Sequence, residues 1–169
     1  MSSSEQSKPR YKSFSYTTGL TWVEGKIGTL TGEGKPLIQA SSPPEFKGNS
    51  GYWTPEDLFV GSVEMCQMLT FIALAQKQLL PLVSYKSNAT GTLEFIDGRH
   101  RFTHIVVTPM VVVDEPATEV DVQTLMREAH KRCLISNSIT AVVEVNASIT
   151  VQEPIGVGET PSTGIEPPR

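Results

Sequence analysis

The sequence predicts an α+β fold in the order βββ-α-ββ-α-β, and three observations carry that expectation. Short segments rich in Thr, Tyr and Ile, separated by Gly-containing turns, open the chain. One long stretch, "TPEDLFVGSVEMCQMLTFIALAQKQLLP", then switches to a helical pattern with a physical start and stop. A second, amphipathic helical stretch separates a two-stranded ribbon from a last alternating strand.

The segments "YKSFSYTTGLTW", "KIGTLTGEG" and "KPLIQASS" read as three strands in hairpin succession, with turns at "EGK" and "GEGK". In the long stretch, Thr54 is placed to cap the helix, Pro55 to occupy its first position, and Glu56 and Asp57 to favour its positive end. The helix must stop before Pro81. Its apolar residues point in nearly every direction, which predicts a central, buried helix. "SYKSNATGTLEFI" and "RHRFTHIVVTPMVVVD", joined at Asp97-Gly98, predict a long hairpin. The second helix is expected over about Asp121 to Leu134, and "NSITAVVEVNASITVQE" supplies one closing strand.

A chain of 169 residues suffices for one domain or for one protomer of an intertwined dimer. Met1 to residue 9 reads as a flexible polar tail, 10–153 as a single domain, and 154–169, with four prolines and three glycines, as a disordered tail. The formal net charge of -4 offers nucleic acid and anionic membranes no electrostatic attraction. The N-terminus lacks the apolar core of a signal peptide, and the run around "MLTFIALA" reads as too short to span a bilayer. A cytoplasmic protein with reduced thiols is the expectation. The "GEGK" segment lies in a hairpin, so no phosphate loop is expected.

Only two cysteines are present, Cys66 and Cys133. On a helical wheel Cys133 shares a face with Val122, Met126 and Ala129, while Arg127, Glu128 and Lys131 point away. The following Ser136-Asn137 is placed to turn the chain or satisfy freed carbonyls. Cys66 lies on a line with Phe59, Ser62 and Ala73, about three turns into the first helix and beyond much help from its dipole. Spacing leaves three readings open: inert burial, a redox pair, or a metal site with His130. Glu64 reads as an interface or solvated charge, His100 and His104 as surface residues, and Trp22 and Trp53 as packing or the walls of a pocket.

The segments "TPEDLFVGSVEMC" and "AHKRCLISNSI" resemble the two signatures of the OsmC/Ohr family (osmotically inducible protein C and organic hydroperoxide resistance protein), N-P-E-x-L-x-x-A ahead of a cysteine on the same helix, and A-H-x-x-C-P-x-S-N-x. The resemblance covers about Tyr16 to Val151. It implies an OsmC-like fold of curved antiparallel sheets around a long central helix, in a tightly intertwined homodimer. It further implies a peroxidase acting on organic hydroperoxides, with no cofactor and no metal. Cys66 would form a sulfenic acid, and Cys133 would condense with it to a disulfide that an external dithiol reduces. Glu56 matches the family glutamate that orients a catalytic arginine, although as an acid in the first turn it also suits the helix dipole.

The chain departs from the family pattern twice. No arginine occurs between Lys12 and Gly98, leaving Lys26, Lys35 and Lys47 as the cations ahead of the first helix. Lysine does not reproduce the planar fork of arginine. Leu134 also stands where the signature has proline. The missing arginine motivates a rival expectation: a binding or stress-associated dimer of the same fold, with little catalysis and an ordinary Cys66 pKa of about 8.5.

Overall fold

Glycine turns build the first sheet. In the computed structural model, which describes residues 12–153, three strands, β1 (Gly19–Glu24), β2 (Ile27–Thr31) and β3 (Ile38–Ser41), pair antiparallel in sequence order. Gly25 between β1 and β2 has φ 47, and Gly34 between β2 and β3 has φ 67, values that cost glycine little. The chain divides after Asp57 into two compact units. The tails expected at 1–9 and 154–169 lie outside the described residues.

Helix α1 spans Pro55–Lys77. Its start is a capping box: Thr54 Oγ1 accepts the Asp57 N–H at 3.0 Å, and the Asp57 carboxylate accepts the Thr54 N–H at 3.0 Å. Its end precedes Pro81 as expected. Leu79 adopts φ 54, and the Leu80 N–H reaches back to the Ala75 carbonyl at 2.9 Å while the Leu79 N–H reaches Gln76 at 3.2 Å. These paired bonds close a Schellman motif, normally built on glycine. The apolar run read as too short for a bilayer belongs to this longer helix. Among the described residues, α1 is long and apolar enough to cross a membrane by length and composition, with a mean hydropathy of 1.7. Here one of its faces buries Val63, Gln67, Phe71 and Ala75, while Met65 and Leu69 remain 54% and 55% exposed.

Asp97 and Gly98, with φ of 52 and 78, join β4 (Leu82–Ile96) to β5 (Arg99–Asp114) as the Asp-Gly pair predicts. Buried Ile105, Val107, Val111 and Val113 alternate along β5, the centre of the second sheet. Gly91 of β4 permits close packing beneath α1: a Cβ there would lie 2.5 Å from a methyl of Val60 and 2.8 Å from the Phe102 ring.

Helix α2 occupies Glu119–Arg132, two residues earlier at each end than expected. A second capping box, Thr118 with Asp121, fixes its start. Cys133 is therefore the residue that leaves the helix, with φ -64 and ψ 110. The chain returns as β6 (Val142–Val145) and β7 (Ser148–Gln152), both parallel to β5. The second sheet is thus mixed where antiparallel pairing was expected, because α2 carries the chain across to start the next strand from the same end. The single closing strand is split at Asn146-Ala147, opposite Thr108-Pro109. Pro109 has no N–H to contribute to a ladder, and the pairing lapses there.

Leu79→Gly should raise stability by about 0.5–1 kcal/mol in urea denaturation, because a left-handed leucine is strained by more than the entropy a glycine adds back. A variant no more stable than the parent would show that the helix end absorbs no such strain.

Candidate active site

Helix packing brings the two cysteines together. Phe71 and Ala75 of α1 share a buried cluster with Val122, Leu125, Met126 and Ala129 of α2. Beside Cys66, the buried Gln67 donates from Nε2 to the Met126 carbonyl at 3.4 Å. One turn past Ala129, Cys133 comes beside Cys66, close enough for each thiol to shift the pKa of the other. Cys133 is 0% exposed, Cys66 is half-buried, and both are free thiols.

The segment after Cys133 is a tightly tied turn. The Asn137 N–H bonds the Cys133 carbonyl at 3.0 Å, and the Asn137 side chain holds the Lys131 carbonyl at 2.9 Å. Ser138 Oγ donates to the Leu134 carbonyl at 2.8 Å, and Ser136 Oγ donates to Cys133 Sγ at 3.1 Å. Ile135 packs on a second core cluster formed by Val63, Ile105, Val107 and Ala141. This anchoring fixes where the backbone amides of the turn point.

Those amides bear on Cys66. Burial pushes its thiol up, but the Ile135 amide, the Cys133 thiol, the Leu134 amide and the Thr70 hydroxyl all pull it down, and it lies below the ordinary cysteine value. For Cys133 burial prevails. The Ser136 hydroxyl and amide oppose it, the neighbouring Cys66 adds to it, and the thiol lies above the ordinary value. Of the two thiols, Cys66 is thus the one that gives up its proton more readily.

Of the residues singled out from sequence, these two meet. Glu56 stands in the first turn of α1, within the first unit, with its Oε2 buried and without a partner among the described residues. Lys26, Lys35 and Lys47 also belong to that unit. The Lys26 ammonium donates to the Phe46 carbonyl, the Lys35 N–H closes a turn onto Gly32, and Lys47 adopts φ 59. Glu64, read as an interface or solvated charge, instead accepts from Ser87 Oγ of β4 at 2.5 Å. Burial pushes the nearby Tyr85 phenol up to about 12, Ser87 opposing and the Glu64 charge adding to the rise. Trp22 and Trp53 are exposed in this chain, so packing is not their role within it; Trp22 walls a cavity with Leu20, Lys26 and Ile27. His100 and His104 are exposed. His130, with Nδ1 buried and unpartnered, does not join the cysteines as a ligand, and among the described residues no three metal-ligating side chains converge.

Sequence reasoning missed Gln67 and the amides of Leu134 and Ile135. A lone glutamine inside "VEMCQMLTF" was a readable signal. Backbone amides have no letter in a sequence.

Alkylation of Cys66 followed against pH should show a midpoint below the free-thiol value of about 8.5, because only the thiolate reacts. Leu134→Pro removes one of the two amides, and the extended backbone of Cys133 accommodates a following proline. Its midpoint should move upward, and an unmoved midpoint would remove the Leu134 amide from the account.

Comparison with known proteins agrees with this architecture. The sequence model of the family described as OsmC-like protein matches residues 48–148. An uncharacterized Bacillus subtilis protein, YmaD, is 24% identical over 129 residues, covering 75% of this chain and 85% of its own. Among solved structures, an OsmC-like protein of unknown function from Vibrio cholerae superposes with a TM-score of 0.72 at 26% identity, covering 82% of this chain and 100% of its own. An organic hydroperoxide resistance protein OsmC from Legionella pneumophila gives 0.64 at 22% identity, with 80% and 98% covered. OhrB of Bacillus subtilis, an organic hydroperoxide resistance protein, gives 0.58 at 18%, again with 80% and 98% covered. The last two likenesses are of fold alone. With most of its two-helix, two-sheet framework inside the family match, this chain belongs to the OsmC-like protein family.

Proposed function

We propose that the chain is a cytoplasmic, cysteine-based peroxidase that reduces organic hydroperoxides in oxidative stress defence. The observation that carries this reading is the proximity of two free thiols whose surroundings shift their pKa values in opposite directions. A thiolate is the nucleophile that peroxide chemistry needs, and a second thiol in reach protects its oxidised form from further oxidation. Cys66 attacks the outer peroxide oxygen, a sulfur–oxygen bond replaces the oxygen–oxygen bond, and the alkoxide leaves as alcohol on taking a proton. Cys133 then condenses with the Cys66 sulfenic acid, releasing water and forming the disulfide, which an external dithiol reduces. Hydroperoxides with apolar bodies fit best, since exposed Met65, Leu69 and Leu134 offer apolar surface beside Cys66. The organic hydroperoxide resistance proteins of similar fold support the substrate class.

We assign Glu56 an accepting role, as its buried Oε2 has no partner among the described residues and can take a cationic donor. A homodimer built on α1 would cover Met65 and Leu69, an apolar pair that water leaves unfavourably exposed. The missing arginine favours the alternative of a binding or stress-associated dimer with little turnover.

Purified protein supplied with cumene hydroperoxide and a dithiol should consume peroxide, and Cys66→Ser should reduce consumption to background. Cys133→Ser should leave a trappable sulfenic acid on Cys66. Equal turnover by wild type and Cys66→Ser would remove the peroxidase reading.

A further inference from the structure

Ser136 is expected from sequence to turn the chain or satisfy helix carbonyls, but other residues do that work. Asn137 serves the Lys131 and Cys133 carbonyls, and Ser138 serves that of Leu134. The Ser136 hydroxyl is left to donate to Cys133 Sγ at 3.1 Å. Cys133 is buried, so a negative charge on its sulfur has no water to stabilise it. A neutral thiol sulfur is a weak acceptor, whereas a thiolate draws a much stronger hydrogen bond from the same hydroxyl. The Ser136 contact is therefore worth more at the moment Cys133 loses its proton than before it.

We propose that Ser136 is the positioning residue of the resolving thiol, orienting Cys133 Sγ and stabilising it as a transient thiolate during disulfide formation. The inference rests on the peroxidase reading and deepens it. As the Cys66 thiolate attacks, its oxygen–oxygen bond partner leaves as an alkoxide, which takes the proton of the Cys133 thiol lying against Cys66. Charge is conserved: Cys66 becomes a neutral sulfenic acid, the alcohol is neutral, and Cys133 carries the negative charge. The Cys133 thiolate, held by the Ser136 hydroxyl, then attacks the Cys66 sulfur. The sulfur–sulfur bond forms, the sulfur–oxygen bond breaks, and hydroxide leaves, taking a proton from solvent to become water.

The test treats the reduced full-length protein with one equivalent of cumene hydroperoxide, without dithiol and with dimedone present. It compares the Cys66 dimedone adduct with the disulfide by mass spectrometry. Wild type should form mainly disulfide. Ser136→Ala should form disulfide about ten-fold more slowly, the size expected for losing one hydrogen bond to a charged group, and should accumulate the adduct. Ser136→Thr, which keeps the hydroxyl, should return the partition to that of wild type. Disulfide formation by Ser136→Ala at the wild-type rate, or a threonine variant as impaired as alanine with an unchanged circular dichroism spectrum, would overturn the inference. Wild type yielding neither adduct nor disulfide would instead bring down the peroxidase reading itself, and this inference with it.

Discussion

The constraint on which the rest depends is the parallel return of the chain to β5. Parallel neighbours cannot be joined by a tight turn, so the chain must cross over between Asp114 and Val142, and α2 is that crossover. A crossover helix has to bury its apolar stripe on the structure it crosses. Val122, Leu125, Met126 and Ala129 do so against Phe71 and Ala75 of α1 and Val111 and Val113 of β5. Position 133, the next place on the same stripe, is then carried to Cys66 with no separate device for pairing sulfurs. The contact between thiols remote in sequence is a by-product of how this sheet is closed.

The two departures from the family pattern bear on Cys66 in opposite directions. The chain lacks the arginine whose full charge would favour a thiolate, and it carries leucine where the signature has proline. A proline has no N–H, whereas the Leu134 amide joins that of Ile135 in lowering the Cys66 pKa. Amides are fractional charges, weaker than a guanidinium, but they are fixed in place by Ile135 packing and by the Ser138 and Asn137 bonds. Fixed donors need no reorganisation when charge appears.

How much of this was legible depends on whether a side chain or the backbone does the work. The Thr54 cap, the Asp97-Gly98 turn and the Pro81 stop are local chemistry, and the framework could be read from them. The cysteine face of α2 was readable because helical period survives in sequence. The two-residue error in α2 arose because Thr118 out-competed a start at Asp121; the acid closes the capping box as the third helical residue and does not open it. The parallel return and the split at Pro109 were not legible, since strand direction depends on where a connection lands rather than on any residue within it. The ties of Glu64 to Ser87 and of Gln67 to Met126 are long-range contacts with no local signal.

Covering the exposed side of α1 would alter the balance at Cys66. Any partner that shields Met65 and Leu69 also removes water from the neighbouring half-buried sulfur, and desolvation alone drives a thiol pKa upward. A cation brought in by the partner would counter that rise, but so would the amides already present, whose pull strengthens as the local dielectric falls. The protein therefore tolerates a drier Cys66 only while the turn from Leu134 to Ser138 holds its geometry. Protonation preference, access of water and turn rigidity are linked at this site, where the Cys133 thiol joins the amides of the turn in holding the Cys66 pKa down.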